Sequence, residues 1–427
     1  MPSLNVPYGH SFLTADIPEN NFAGCYFSEL PAAAADESAE VCRALDNPIG
    51  SLPLEELAKG RKNAVIITSD HTRPVPSKII MPQILERLRR NAPDIDITIL
   101  VATGFHRGTT KAELIAKLGE KIVREEKIVV HDSGDASMLC DAGVLPSGGR
   151  LMLNKLALET ELLVAEGFIE PHFFAGFSGG RKSVLPGIAS RTTVLANHCA
   201  EFIASSCART GILEGNPIHR DMLFAAEKAK LAFIVNVVIN GEKKIVRAFA
   251  GDREKAHLQG CGFLSDCCRI TVPEVDIVIT GNGGYPLDQN VYQSVKGMTS
   301  GEAVCRENGV IIMVASCADG HGGEAFCKAL SRASSPAGLL AEVAGIPRDK
   351  TLPDQWEYQI LCRILDKFTV IMVTQDCDHR MLQNMHLQTA ATISEALEKA
   401  FAIAGKEAKV AVIPDGVSVI AAKQNQI

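Results

Sequence analysis

Ala64-Val65-Ile66-Ile67-Thr68 is an apolar, β-branched run of the kind that forms a buried strand. A helical pattern follows over residues 77–90, a second β-branched run over 97–101 and a second helical pattern over 111–119. Strands that alternate with helices in this way predict βαβ units and a parallel sheet. The stretch therefore predicts an α/β fold in which helices flank a mainly parallel sheet.

The same rhythm continues in two series that predict two lobes. The first series adds runs at residues 127–130 and 162–165, and then 231–240 and 244–248, which predict an antiparallel hairpin around Gly241-Glu242. The second series comprises residues 276–280, 310–314, 370–373 and 410–413. A chain of 427 residues can bury two cores. We predict an N-terminal α/β domain over 1–265 and a C-terminal α/β domain over 266–427, with a connecting helix around 252–264.

Composition narrows the class of protein. The chain is 46% apolar and 22% charged, with a net charge of -7, whereas nucleic-acid-binding proteins normally carry a basic patch. No stretch approaches the roughly 20 apolar residues of a membrane span, and the N-terminus lacks the pattern of a signal peptide. The 13 cysteines form no C-x-x-C pair that would predict a zinc site. We expect a cytoplasmic protein with neither a nucleic-acid nor a membrane partner.

Polar clusters follow the predicted strands where each strand ends. In the first lobe these clusters lie at residues 70–73, 104–107, 131–135 and 170–172. In the second lobe they lie at 282–290, 292–297 and 318–324. Ligands of open α/β sheets bind at the carboxyl ends of the strands. We therefore expect the active site in a cleft between the two lobes.

The loop at residues 170–187, EPHFFAGFSGGRKSVLPG, combines Arg181 and Lys182 with glycines at 176, 179, 180 and 187. Glycines permit sharp turns and close approach of the backbone to a ligand, and two cations suit an anionic cofactor. Glycine-rich basic loops also occur as ordinary surface turns. The loop alone leaves both interpretations open.

Two histidines at strand ends of the first lobe, His106 and His172, are candidates for proton transfer. Their near-neutral pKa suits a general base and a general acid, and inverting a carbon centre needs a proton acceptor on either side of the substrate. An isolated histidine beside a strand end is more often structural, and we interpret His71, His131 and His321 in that way. Arg73, Gln293 and Lys296 are residue types that clamp a carboxylate, although on exposed loops they would simply be solvated.

The chain resembles the nickel-dependent lactate racemase family. The resemblance runs in order through DHTRP at 70–74, GFHR at 104–107, residues 170–182, Asn197-His198 and YQSVKG at 292–297. It implies a two-domain fold and a nickel-pincer nucleotide, pyridinium-3-thioamide-5-thiocarboxylic acid mononucleotide carrying nickel. It also implies separate maturation proteins that make this cofactor.

The resemblance assigns a role to each matched residue. Lys182 would tether the cofactor through a thioamide bond, and His198 would complete the nickel coordination. His106 and His172 would be the two catalytic bases. The remaining matches fall into a cofactor-binding set, Asp70, Arg73, Gly176 and Gly179, and a substrate-binding set, Arg73, Tyr292, Gln293, Lys296 and Trp356. Trp356, the single tryptophan, is equally compatible with a core position.

The activity implied is racemisation of a 2-hydroxy acid. One histidine would take the hydroxyl proton while hydride leaves the second carbon for the pyridinium ring, giving a transient 2-keto acid; hydride would then return to the opposite face. Lactate is the leading substrate, and a larger acid of the malate, 2-hydroxyglutarate or aldonate type is the alternative.

Two other classes of protein remain possible on the residues alone. A nicotinamide-dependent dehydrogenase would need a G-x-G-x-x-G motif after the first strand, and we find none well placed. A non-enzymatic phosphometabolite-binding protein would need the basic loop but not His106, His172 and His198 together.

Overall fold

The chain folds into two compact α/β units, as the alternation of strand and helix patterns predicts. The structure, a computed structural model, describes residues 2–424. The larger unit comprises residues 30–198 and 205–267, and the smaller unit comprises residues 2–29, 199–204 and 268–424. The break at 267/268 lies close to the division expected at 265. The first 29 residues, however, belong with the C-terminal part of the chain rather than with the N-terminal part.

The larger unit is built on a six-stranded sheet. Its strands lie in the spatial order Ile245–Gly251, Leu231–Ile239, Leu163–Phe168, Asn63–Ser69, Asp96–Ala102 and Lys127–Val130. The first two strands pair antiparallel, which confirms the predicted hairpin. The others run parallel, so their carboxyl ends lie at one edge of the sheet.

Helices cover this sheet because each turns an apolar stripe toward it. In the helix Ser77–Arg90, the side chains of Ile80, Ile84 and Leu88 are fully buried in the core of the unit. The α-helices of the unit are Glu37–Asp46, Leu54–Ala58, Ser77–Arg90, Lys111–Leu118, Glu120–Glu125, Lys155–Glu159, Arg191–Asn197, Pro217–Lys228 and Lys255–Cys268, the last of which runs one residue past the unit boundary.

Short elements complete the larger unit. Two antiparallel hairpins pair Leu139–Val144 with Arg150–Asn154 and Pro171–His172 with Gly176–Phe177. Single 3₁₀ turns span Ala136–Met138 and Gly180–Ser183. The second hairpin and the second turn shape the loop that carries His172 and Lys182.

The smaller unit is built on a six-stranded sheet in which every pairing is parallel. Its spatial order is Gln388–Ala390, Thr369–Val373, Cys305–Val314, Val275–Gly281, Val410–Ile413 and Phe22–Cys25. The α-helices are Ala200–Ala204, Val291–Val304, Glu324–Arg332, Pro336–Ala344, Gln355–Leu365, His379–Asn384 and Ile393–Ala404.

Further short elements of the smaller unit lie outside this sheet. Ser3–Tyr8 and Ser11–Asp16 form an antiparallel hairpin, and Arg269–Val272 pairs parallel with Ile420–Lys423. Single 3₁₀ turns span Glu19–Asn21 and Arg348–Lys350. Within residues 2–424, every helix is too short or too polar to cross a bilayer. All 13 cysteines are free thiols.

Candidate active site

Asp70 and His106 meet because they follow adjacent parallel strands of the larger unit. Asp70 comes directly after Asn63–Ser69, and His106 lies in the loop after Asp96–Ala102. The Oδ2 atom of Asp70 lies 2.6 Å from Nδ1 of His106. The Oδ1 atom of Asp70 accepts from the main-chain N–H and the hydroxyl of Thr72, at 3.1 and 2.7 Å. The carboxylate therefore fixes the orientation of the His106 ring.

The Asp70 carboxyl is 1% exposed but keeps its negative charge. Burial raises its pKa, whereas the hydrogen bond and the charge of His106, with smaller contributions from Thr72 and Arg73, bring the pKa of Asp70 below its ordinary value. An ionised carboxylate accepts the Nδ1 proton of His106, so the neutral ring presents the lone pair of Nε2. The side chain of His106 is 42% exposed, which leaves Nε2 accessible as a proton acceptor.

Arg73 lies in the same loop and is exposed. Its Nη1 donates to the Thr72 hydroxyl at 3.3 Å. Its main-chain carbonyl accepts from Nζ of Lys117 at 3.4 Å, and Lys117 also donates to the Ser69 hydroxyl at 3.1 Å. Lys117 thus fastens the segment from Ser69 to Arg73, which carries Asp70.

His172 stands in the short hairpin of the 170–187 loop. Its Nδ1 accepts from the main-chain N–H groups of Phe174 and Ala175, at 3.5 and 3.3 Å. These bonds assign the proton of the neutral ring to Nε2. His172 therefore presents a hydrogen-bond donor, whereas His106 presents an acceptor.

The ring of Phe174 brings three predicted residues together. It lies 4.5 Å from the His172 ring and 5.1 Å from the His198 ring, centroid to centroid. The Nζ atom of Lys182 lies 5.8 Å from the centroid of the same ring. Phe174 stands out by no motif of its own, and its place between His172 and the glycines of the loop is the available signal in the sequence.

Two glycines of the cofactor-binding set have conformations that a side chain would disturb. Gly176 has φ +77°, and a Cβ there would collide with the main-chain carbonyl of Ile212. Gly179 has φ +76°, and a Cβ there would lie 2.8 Å from Oδ1 of Asn236. The same Oδ1 accepts from the N–H of Gly180 at 2.7 Å. Close packing of the loop backbone is therefore enough to explain why both positions are glycine, whether or not they also contact a cofactor.

Arg181 is fully buried and holds the loop from within. Its guanidinium donates to the carbonyls of Ala175 and Phe177, at 2.7 and 2.8 Å, and to Nδ1 of His219 at 2.9 Å. The guanidinium therefore closes residues 175–181 into a compact turn. Lys182 is the next residue and is half-buried beside Phe174.

His198 follows the helix Arg191–Asn197, and its main-chain N–H donates to the carbonyl of Val194. The side chain is buried. Burial, reinforced by the positive charge of Lys182, lowers the pKa of His198 to about 3. The ring is consequently neutral near pH 7, which is the form of imidazole that binds a metal ion. Among residues 2–424, no group of three or more His, Cys, Asp or Glu side chains could hold a metal ion.

The predicted substrate-binding residues of the smaller unit cluster at the starts of two packed helices. Tyr292 and Lys296 lie one turn apart on Val291–Val304, so they share a face of the helix. Nζ of Lys296 donates to Oε1 of Gln293 at 2.6 Å. Nε1 of Trp356, on Gln355–Leu365, donates to the Tyr292 hydroxyl at 3.1 Å. Trp356 is only half-buried, which disfavours the core interpretation.

Glu357 is a further titratable residue of this cluster, and no motif in the sequence points to it. It follows Trp356 and is 1% exposed. Burial raises the pKa of Glu357, the positive charge of Lys296 lowers it and the negative charge of Asp354 raises it further. The signal in the sequence was its adjacency to the single tryptophan.

Comparison with known proteins identifies the family. The lactate racemase N-terminal domain model matches residues 8–211, and the lactate racemase C-terminal domain model matches residues 270–421. The chain belongs to the lactate racemase family. This confirms the family identified from the motifs, and as a member of a racemase family the protein is an isomerase.

Full-length relatives within the lactate racemase family agree with this assignment. A lactate racemase from Thermoanaerobacterium thermosaccharolyticum is 55% identical over 98% of this chain and 99% of its own length. A lactate racemase from Lactiplantibacillus plantarum is 54% identical over 98% of this chain and all of its own length, 100%.

Solved structures agree as well. The lactate racemase apoprotein from T. thermosaccharolyticum superimposes with a TM-score of 0.96 at 55% identity, covering 98% of this chain and 100% of that one. A protein from Thermotoga maritima, 18% identical with a TM-score of 0.65 over 93% of this chain and 100% of its own, shares the fold.

Proposed function

We propose that this protein interconverts the two enantiomers of lactate. The observation that carries the proposal is the Asp70–His106 pair, at 2.6 Å, together with a second imidazole at His172, in a chain whose full-length relatives are lactate racemases. An oriented imidazole with an accessible Nε2 can act as a general base. Hydride transfer at the second carbon needs a base for the hydroxyl proton of either enantiomer, and two histidines can provide one each.

His106 acts first in this proposal. Its Nε2 takes the proton of the substrate hydroxyl, and the ionised Asp70 stabilises the imidazolium that results. The Nε2–H of His172 donates a hydrogen bond to a substrate oxygen. For the opposite enantiomer the two rings exchange roles. His172 must then give up the hydrogen bonds that its Nδ1 accepts from the main-chain N–H groups of Phe174 and Ala175.

The residues present fit a nickel-pincer nucleotide. Lys182 offers an amine for a thioamide tether, and the buried, neutral ring of His198 offers one nitrogen ligand for nickel. When bound, the nickel-pincer nucleotide would supply the hydride acceptor and donor for the second carbon of the substrate. His198 would be the protein's ligand to the nickel, and the cofactor itself would supply the other ligands.

The substrate carboxylate is proposed to bind the cationic and amide groups of the substrate-binding set. Lys296 and Gln293 already lie together, with Nζ and Oε1 2.6 Å apart, and they present an ammonium and an amide side by side. Arg73 offers a planar, bidentate donor. Trp356 and Tyr292 supply the walls of the site. We further propose that the protein works in the cytoplasm and receives its cofactor from separate maturation proteins.

The test is chiral analysis of lactate incubated with protein made in a host that synthesises the cofactor. Wild type should convert either enantiomer into a racemic mixture. His106→Gln and His172→Gln should lower kcat by about 10²- to 10⁴-fold, the usual contribution of a general acid or base. His379→Gln is the matched control, because His379 makes a main-chain hydrogen bond in the smaller unit. Cofactor-loaded wild type that racemises malate or 2-hydroxyglutarate but not lactate would contradict the proposal.

A further inference from the structure

The helix Lys111–Leu118 contacts both loops that form the proposed base. Leu114 and Leu118 are buried in the core of the larger unit, which fixes the position of this helix. Glu113 and Lys117 are four residues apart and therefore share another face of the helix. Each of these two charged side chains holds one of the two loops that supply the base and its carboxylate partner.

Glu113 holds the loop that carries His106. Its carboxylate pairs with both terminal nitrogens of the Arg107 guanidinium, at 2.9 and 2.5 Å, and Arg107 directly follows His106. The Oε2 atom of Glu113 also accepts from the main-chain N–H and the hydroxyl of Thr110, at 2.8 and 3.0 Å. One carboxylate thus fastens the segment 107–110 at both of its ends.

Lys117 holds the segment that carries Asp70. Its Nζ donates to the hydroxyl of Ser69 at 3.1 Å and to the main-chain carbonyl of Arg73 at 3.4 Å. The two contacts lie on either side of Asp70 in the sequence, so the turn that presents this carboxylate is held from one ammonium group.

The two loops also contact each other beside the same face of the helix. Nδ1 of His71 lies 3.3 Å from the Thr109 hydroxyl and 3.8 Å from Oε2 of Glu113. His71 belongs to the segment that carries Asp70, and Thr109 belongs to the loop that carries His106. Both loops therefore meet at the carboxylate of Glu113.

We propose that Glu113 and Lys117 are positioning residues that set the distance and orientation between Asp70 and His106. The 2.6 Å contact of that pair joins two loops that form neither helix nor strand. Such a contact keeps its geometry only if both loops are held, and a displacement of about 1 Å can cost about 100-fold in rate. The inference rests on the proposed role of His106 as the general base.

The contacts of the helix suit a role in positioning more than a role in folding. The side chain of Arg107 is 60% exposed, and exposed ion pairs contribute little to the free energy of unfolding. Paired contacts between a guanidinium and a carboxylate nevertheless fix orientation. Glu113→Gln should therefore leave the protein folded. Lys117→Met removes the donors of the ammonium group and keeps a long, unbranched side chain.

The first measurement is the tautomer of His106, determined by ¹⁵N NMR of histidine-labelled, full-length protein at a pH at which the ring is neutral. In wild type the Nδ1–H form should dominate, because Asp70 accepts that proton. Lys117→Met and Glu113→Gln should give a mixture with the Nε2–H form, because the carboxylate no longer stays in line with Nδ1. His106→Gln identifies the signals of this ring.

The second measurement is a double-mutant cycle in lactate racemisation by cofactor-loaded protein. Lys117→Met and Glu113→Gln should each lower kcat by about 10- to 100-fold, as expected for a small misplacement of a catalytic group. In an Asp70→Asn background the same substitutions should change kcat by less than about threefold, because the contact that they support is already lost. An effect on folding alone would persist in that background.

Two controls match the variants. Lys111→Met removes an exposed lysine from the first turn of the same helix. Glu395→Gln alters a glutamate of the smaller unit that occupies the third position of Ile393–Ala404, as Glu113 does in its own helix. Both should keep the wild-type tautomer and kcat. Thermal unfolding checks that all variants are folded, and Glu113→Gln decides alone if Lys117→Met does not fold.

A mixed tautomer in both variants, with an effect on kcat that disappears in the Asp70→Asn background, is the expected result. Folded variants with the wild-type tautomer, or an effect on kcat that persists in that background, would overturn the inference. Wild type that does not racemise lactate, together with a shifted tautomer in the variants, would remove the proposed function and leave the positioning role standing. Wild type that racemises lactate, with an unchanged tautomer in the variants, would do the reverse.

Discussion

At the scale of single residues, the candidate site depends on how each titratable group is partnered. Nδ1 of His106 is hydrogen-bonded to the ionised carboxylate of Asp70, whereas Nδ1 of His172 accepts hydrogen bonds from two main-chain N–H groups. Two residues of the same type thus start with opposite hydrogen-bonding character. We attribute this difference to their loops. The strands that precede Asp70 and His106 are neighbours in the sheet, whereas His172 lies in a separate hairpin with two residues in each strand.

Asp70→Asn tests the partnership with His106. Asparagine keeps the shape of the side chain but removes the charge that orients and stabilises the imidazolium. We expect kcat for lactate to fall by about 10²- to 10⁴-fold while KM changes by less than threefold. The pH dependence of kcat should change as well, because the base loses its negative neighbour. A kcat within threefold of wild type in folded protein would show that Asp70 does not act through His106.

The sequence indicates candidate site residues but not the partners that the fold places beside them. His106, His172, Lys182 and His198 are recognisable because the chemistry demands those residue types within ordered motifs. Phe174 and Glu357 escaped because their roles depend on which rings and charges the fold brings beside them. A phenylalanine in a loop and a glutamate at a helix start are common in any sequence.

At the scale of elements, the turn around Gly179 and Arg181 determines where Lys182 stands. Gly179 adopts φ +76° and ψ -175°, a backbone conformation almost restricted to glycine. Asn236 holds Gly180 from the neighbouring strand, and Arg181 fills the interior of the turn. Most regular elements were predicted within a few residues, as with Ser77–Arg90 and Val410–Ile413, because their apolar periodicity is strong.

Gly179→Ala tests this element. The added Cβ would lie 2.8 Å from Oδ1 of Asn236 and 2.9 Å from the carbonyl oxygen of Phe168. We expect a loss of about 1–3 kcal/mol in the free energy of unfolding, together with reduced attachment of the cofactor to Lys182. Urea unfolding and intact mass would measure the two effects.

Gly262→Ala is the control for that substitution. Gly262 lies in the helix Lys255–Cys268, and a Cβ there would meet no atom within 4 Å. Alanine should raise the free energy of unfolding by up to about 1 kcal/mol, because it favours a helix more than glycine does. A Gly179→Ala protein as stable as wild type would contradict the strain that we assign to the turn.

At the scale of the whole molecule, the chain forms units that are not continuous in sequence. Phe22–Cys25 adds to the sheet of the smaller unit as the parallel neighbour of Val410–Ile413. Pairing between segments so distant in the sequence leaves no local signal, since a four-residue strand has almost no periodicity. This explains why the expected contiguous domains, 1–265 and 266–427, differ from the observed units at the N-terminus.

Buried histidines should make the protein sensitive to acid. Burial lowers the pKa of His131, and burial with the charge of Arg181 lowers that of His219 to about 3. An unfolded chain binds protons at these rings below a pH of about 6.5, whereas the folded chain does not. The stabilisation from these neutral rings is therefore complete above that pH and is lost as the pH falls. At pH 5, His219 alone should lower the free energy of unfolding by about 2 kcal/mol relative to neutral pH.

Thermal unfolding between pH 7 and pH 5 checks this expectation. His219→Gln keeps an acceptor for Nε of Arg181 but cannot titrate, so its melting temperature should fall less steeply toward acid than that of wild type. His379→Gln is again the control, since that ring is only half-buried. Equal slopes for wild type and His219→Gln would show that His219 is not held neutral in the fold.

The most direct test of the central proposal is the intact mass and nickel content of Lys182→Arg beside wild type, both made with the cofactor maturation proteins. Lys228→Arg is the control, because Lys228 also lies over a phenylalanine ring, with Nζ 5.1 Å from its centroid. We predict a covalent adduct and nickel in wild type and Lys228→Arg, neither in Lys182→Arg, and lactate racemisation only where the adduct is present. Wild-type protein that racemises lactate without an adduct or nickel, or a Lys182→Arg variant that retains both, would contradict the account.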